Sequence, residues 1–289
     1  LIAVACGSAN PLGGWKHLTS NISLPGCGDF LFKLPAVEVA LDFYTKLFAR
    51  GVAAGMRSFE PDFMNQNYRC VDEFTVDTTS APAWQKAMND AAAKVNAPVQ
   101  WCYATPTDAL ATLDLPLVTN MRVSTDFCYG RSWDIGLSSL MTWAVGQAPS
   151  KDTLWTSDNG RFAVPGCDWT ADHEEPAVVT HVLLALLSTG PVGISDAIGQ
   201  TNATLVRRMT MSDGTLLQPA RPIVSVDATL SNNEAPPGQV LATHAPSDEP
   251  STSSACTASR TPAARRSSPV ASANAQRTRC SSSAASHPP

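Results

Sequence analysis

The sequence predicts an α/β fold of the (β/α)8 TIM-barrel type, present as about the last five strand–helix units and followed by a disordered tail. Three observations carry this. Short apolar runs alternate about five times with segments of helical period, which implies parallel strands covered by helices. Acidic residues recur where those runs end, and barrel enzymes gather their site residues at such ends. The 289 residues, 44% hydrophobic and 16% charged, suffice for one sizeable core with a tail.

Residues 1–30, rich in Gly and Pro without a clear period, read as a poorly defined remnant ahead of a domain over residues 31–230. In "AVEVALDFYTKLFARG" the spacing puts Val39, Phe43 and Leu47 on one helical face, with Gly51 as the C-cap. "AAGMRSFEPDF" follows as a strand leading into a turn. "APAWQKAMNDAAAKV" is a helix with Pro82 near its first turn, and "APVQWCYA" the next strand. "PTDALATL" is a short helix, "LPLVTNMRVS" a strand and "WDIGLSSLMTWAVGQ" a helix. "KDTLWTSD" is a strand, and "EEPAVVTHVLLALLSTG" a buried helix with Glu174 and Glu175 favourable at its N-terminus. "GPVGIS" is a strand, "TNATLVRRMTM" a helix, and "ARPIVSVDATL" opens a further β-segment. Residues 231–289 are Ser, Pro, Ala and Arg with almost no large apolar side chain, so burial cannot offset their ordering entropy and disorder is expected.

The net charge of −5 and the lack of a basic stripe ahead of the tail argue against nucleic acid as a partner. No run approaches the roughly 20 apolar residues of a membrane helix. No GxGxxG or P-loop appears, and no cofactor is implied. The histidines, at 17, 173, 181, 244 and 287, show no HxH or HExxH spacing, so no metal site is expected. The opening "LIAVACGSA" fits either the end of a signal peptide or a barrel strand in a chain that starts partway round. Sequons at Asn21 and Asn202 lean towards secretion. Cys102, in an apolar run, reads as a free buried thiol, and a disulfide such as Cys128 to Cys167 is open.

Candidate site residues lie at the strand exits: Glu60 and Asp62 in "FEPDF", Arg122 and Asp126 in "MRVSTDF", Asp158, and Asp196 in "GISDAIG". Carboxylates gathered there suit the oxocarbenium-like transition state of glycoside hydrolysis. The competing reading is capping and turn formation, which fits Asp158 and Asp196 and, as first-turn helix acids, Asp108 and Asp134. Trp101, Trp133, Trp155 and Trp169 stand near strand exits or early in helices, placed either to stack on a sugar or to pack the core and rim.

"TNMRVSTDF", "SKDTLWTSD" and "LLSTGPVGISDAIGQTNATLVRRMTMSDGTLLQP" resemble the C-terminal half of glycoside hydrolase family 36 and its clan, which includes α-galactosidases and the raffinose synthase group. The resemblance covers roughly residues 36 to 230, and its last segment is the most specific. It implies a retaining barrel enzyme acting on an oligosaccharide or glycoside, with Asp62 as nucleophile, Asp126 as acid/base and Arg122 four residues before it. Glu60 stands where the family usually has a lysine and is the alternative nucleophile. Thr125 replaces the first of two adjacent aspartates of the raffinose synthase group. These departures mark a divergent branch. Trp155, Asp196, Glu60 and Arg122 are candidate substrate contacts. Transfer of the glycosyl group to another sugar, or a barrel relative that only binds carbohydrate, are the alternatives to hydrolysis.

Overall fold

The computed structural model describes residues 14–29, 31–127, 135–157, 175–227, 240–245, 252–260 and 276–284. The chain divides into two compact units, 1–122 with 145–147 and 123–144 with 148–289, where the hydrophobic pattern alone showed one domain. Periodicity marks which face of a helix is buried but not which helices share a core, so the boundary is invisible in it.

In the first unit, β1 (His17–Thr19) pairs antiparallel with β2 (Lys33–Pro35). A disulfide joins Cys27 to Cys70, with Cα atoms 5.7 Å apart. Residues 14–29 are therefore tied to the unit by pairing and a cross-link, neither of which leaves a period in sequence.

The helix α1 (Val37–Ala53) packs on α4 (Ser80–Val95). α1 runs past Gly51, which is not its cap. Gly55, with φ +95°, takes the left-handed position instead: its N–H bonds to the Val52 carbonyl and that of Met56 to the Gly51 carbonyl, at 2.9 and 2.8 Å. Met56 folds back over Gly51, where an added Cβ would lie 2.8 Å from the Met56 sulfur. Pro82 sits in the first turn of α4, and Asn96 closes that helix in the left-handed region. Between the two lie α2 (Met64–Arg69) and α3 (Asp72–Val76), too short to show an amphipathic period.

Tyr44, Phe48, Phe59 and Trp84 form the middle of the first core, with Tyr44 edge-on to Trp84 at 5.8 Å and Phe48 4.9 Å from Phe59. Each such pair adds about 1 kcal/mol beyond area burial. β3 (Val99–Trp101) is buried at every residue, as a strand covered on both faces must be. It runs parallel to β4 (Val118–Arg122) on one side and to Phe59 on the other. Asn120 donates to Gln100 across the two strands at 2.6 Å, so this buried amide pair is satisfied internally. The helix α5 (Pro106–Ala111) starts with a capping box in which Thr105 and Asp108 bond each other's backbone N–H. Asp108 is a helix-start acid, as its place in sequence suggests.

The second unit contains α6 (Gly136–Ala144), β5 (Ala148–Ser150), α7 (Val178–Leu187), α8 (Ala203–Arg208) and β6 (Val224–Ser225). "KDTLWTSD" and "GPVGIS" are not full strands: Leu154 and Ile194 meet in a single parallel bridge, and the regular strand comes earlier, at β5. Gly190 explains the close approach there, since a Cβ on it would lie 2.5 Å from the Pro149 carbonyl oxygen. β7 (Val240–Ala245), β8 (Thr252–Arg260) and β9 (Gln276–Ala284) continue from β6 as an antiparallel sheet. β7 pairs with β8 and β8 with β9 through the backbone. In neither unit do the described strands close into a ring. Among the described residues, no helix is long and apolar enough to cross a membrane.

Candidate functional site

The first unit brings Glu60, Asp62, Cys102, Tyr103 and Arg122 to one edge. They follow Phe59, β3 and β4 at the C-terminal ends of these parallel segments. The edge is stapled by backbone bonds: Cys102 N–H to the Pro61 carbonyl at 3.3 Å, Met64 N–H to that of Cys102 at 3.2 Å, and Asn65 N–H to that of Tyr103 at 2.9 Å. These last two occupy N–H groups at the start of α2, which has no side-chain cap.

The Asp62 carboxylate is half-buried and accepts from the Phe63 N–H at 2.7 Å. The Cys102 thiol is buried and free. Burial pushes that thiol far above its ordinary range; the positive Arg122 opposes this, and Asp62 and Glu60 add to it. The thiol is therefore kept neutral rather than nucleophilic. The Arg122 guanidinium lies 4.3 Å from the centre of the Tyr103 ring. The expectation of a free buried thiol at Cys102 holds.

The second unit carries Asp126, Trp155 and Asp196. Asp126 is exposed. Its loop is tethered on both sides: the Asp152 N–H donates to Ser124 Oγ at 2.8 Å, and the Phe127 N–H donates to Asp152 Oδ2 at 2.5 Å. The Val123 N–H adds a bond to the Ser150 carbonyl at 2.8 Å. Asp152 is thus the residue that fixes this loop. Its place inside "SKDTLWTSD" is the signal for it in the sequence, although it stands at the start of that run and not at its exit.

Trp155 faces the core, 5% exposed, with its ring 5.2 Å from Phe127. Core packing, one of the two readings of its sequence position, is what it does here, and little of the ring is left for a sugar. Both Asp196 oxygens are taken by Thr156, one by its N–H at 2.7 Å and one by its hydroxyl at 2.5 Å. The Asn202 N–H then donates to that hydroxyl. Asp196 therefore acts as a tie between chain segments, the structural alternative for it, rather than as a substrate contact. Trp101 is likewise a core residue, 1% exposed. Asp134, Asp158, Trp133, Trp169, Cys128, Cys167 and Glu174 lie outside the described residues.

Beneath the loop the second unit buries charge. His181 Nε2 is 3.2 Å from Glu175 Oε1, and Glu175 also accepts from the Ala177 N–H at 2.9 Å. Lys151 is buried too; its ammonium donates to the carbonyls of Asp152 and Thr153 and lies 5.1 Å from the Phe127 ring centre. Burial lowers the His181 pKa; Glu175 opposes this and Lys151 adds to it. The imidazole is accordingly neutral near pH 7.

No protein-family model matches the chain, and no curated protein matches it.

Proposed function

We propose that this chain acts on α-linked sugars, of α-galactoside type, as a retaining glycoside hydrolase built on barrel-type strand–helix units. The observation that carries the reading is the edge of the first unit, where Glu60, Asp62 and Arg122 stand at the C-terminal ends of parallel segments. The resemblance of "MRVSTDF" and the segment after Gly190 to family 36 supports it.

In this mechanism the Asp62 carboxylate attacks the anomeric carbon, and the bond to the leaving oxygen breaks as Asp126 gives that oxygen a proton. An ester joins the sugar to Asp62. Asp126, now a carboxylate, takes a proton from water as the water oxygen attacks the same carbon and frees Asp62. Two inversions retain the configuration. Arg122 orients a carboxylate or a sugar hydroxyl. A sugar hydroxyl in place of water gives transfer instead of hydrolysis. No cofactor enters. The Cys27–Cys70 disulfide and the two sequons support a secreted chain.

Exposure of Asp126, together with Glu60 in place of the family's lysine, favours a second reading: a relative that binds carbohydrate without turning it over. Hydrolysis of 4-nitrophenyl α-galactoside by the wild type, Asp62→Asn and Asp126→Asn separates the two. The hydrolase reading expects release of nitrophenol and a loss of at least about a hundredfold in kcat/KM for each variant. Wild type inert across a panel of α-glycosides, or Asp62→Asn as active as wild type, sinks it.

A further inference from the structure

Phe63 and Tyr103 are both non-glycine residues in the left-handed region, with φ of 54° and 51°. Bulky side chains seldom adopt this conformation, and strained backbone of this kind concentrates at binding sites. Here two of them fall side by side, at the exits of adjacent parallel segments. The staple between the exits, Met64 and Asn65 N–H to the carbonyls of Cys102 and Tyr103, holds both residues in place.

The outcome is a layered stack. The Phe63 and Tyr103 rings are parallel within 4°, with centroids 5.6 Å apart. The Arg122 guanidinium lies over the Tyr103 ring at 4.3 Å. Phe63 keeps 38% of its surface exposed, a large fraction for an aromatic side chain tied down by a neighbouring ring. Its own N–H holds the Asp62 carboxylate at 2.7 Å. An exposed aromatic ring next to carboxylates has the chemistry of a pyranose subsite: the C–H face of the sugar packs on the ring while its hydroxyls donate to the carboxylates.

We propose that the Phe63–Tyr103–Arg122 stack is the platform on which a pyranose ring rests beside Asp62. This rests on the glycoside reading above and adds the residues that seat the sugar. Nothing in the sequence marks them, because the conformation that aligns the rings is not a pattern of residue types.

Phe63→Gly is the clean test. It removes the ring, keeps the N–H that holds Asp62, and relieves the left-handed strain. Binding of methyl α-galactoside to the full chain is measured by calorimetry, alongside kinetics on 4-nitrophenyl α-galactoside and thermal unfolding. The expected result is a rise of about tenfold in Kd and KM, the upper reach of one stacking contact. The thermal midpoint should stay within about 5 °C of wild type. Phe63→Tyr should bind as wild type does. Equal Kd for wild type and Phe63→Gly overturns the platform, as does a wild type that binds no sugar. A wild type that binds the sugar in a Phe63-dependent way but hydrolyses nothing keeps the platform and removes the hydrolase reading alone.

Discussion

In the first unit the deepest large side chains are Trp84, Trp101, Phe48 and Phe59, whereas the second unit sets Lys151, Glu175 and His181 at comparable depth. The first keeps its carboxylates and arginine at the strand edge and its aromatics inside. Its one deeply buried acid, Asp108, is satisfied by Thr105 and by Gln85, whose amide donates at 2.8 Å. The second unit buries ions under the loop that displays Asp126. Apolar burial stabilises without reference to pH, while buried ions stabilise only in one protonation state. The two units should therefore fail under different stresses, and amide hydrogen exchange on the full chain can follow each separately.

The largest expected effect belongs to the first unit. Opening the Cys27–Cys70 disulfide, which spans 43 residues, should cost about 3 kcal/mol. Cys70→Ser should lower exchange protection in α1 and α4 and leave α7 unchanged. Equal loss in both units would break the comparison.

A smaller effect is expected in the second unit from Gly190→Ala. The new methyl would meet the Pro149 carbonyl oxygen at 2.5 Å and the Ser150 Cα at 2.8 Å, both backbone. A cost of about 2 kcal/mol follows, read from urea unfolding. Gly51→Ala in the first unit meets only the Met56 side chain, chiefly its flexible outer atoms, and should cost less than half of that. The reverse order would show that the approach of Gly190 to β5 is not fixed.

The smallest effect is the pH response, and its sign differs between the units. His181 has a lowered pKa in the folded state because burial penalises its charge. Below about pH 6.5 the unfolded chain takes up a proton that folded His181 refuses, so the second unit loses stability as pH falls. Asp108 is raised by burial, against the hydrogen bonds from Thr105 and Gln85. Its contribution is complete below the ordinary aspartate value and is lost as pH rises through the folded value. Acidification from pH 7 should thus loosen α7 before α4. His181→Phe should flatten that response.

The fold was legible where hydrophobic period is long. α1 and α4 carry two of the clearest helical patterns, and both helices are present. Capping chemistry gave the start of α5, since Thr105 and Asp108 have the right spacing for a capping box. The end of α1 is not legible, because Gly51 has the look of a cap while it leaves room for Met56. β5 is not legible because "APS" is short and holds a proline, and Gly190, which approaches it closely, is some forty residues away. The Cys27–Cys70 pairing follows from tertiary position alone. At the candidate site, Glu60, Asp62 and Arg122 stood out as charges at strand exits. Phe63, Tyr103 and Asp152 did not, because a left-handed φ and a loop tether are properties of geometry rather than of residue order.

In the proposed mechanism Asp62 attacks the anomeric carbon. Incubation with 5-fluoro-α-galactosyl fluoride tests it most directly, since the fluorine at C5 disfavours the cationic transition state and lets the covalent intermediate accumulate. Peptide mapping by mass spectrometry should then find the sugar esterified to Asp62, in the segment running from Ser58 to Arg69. Label on Glu60, on a peptide outside that segment, or nowhere while the substrate is still turned over, would contradict the account.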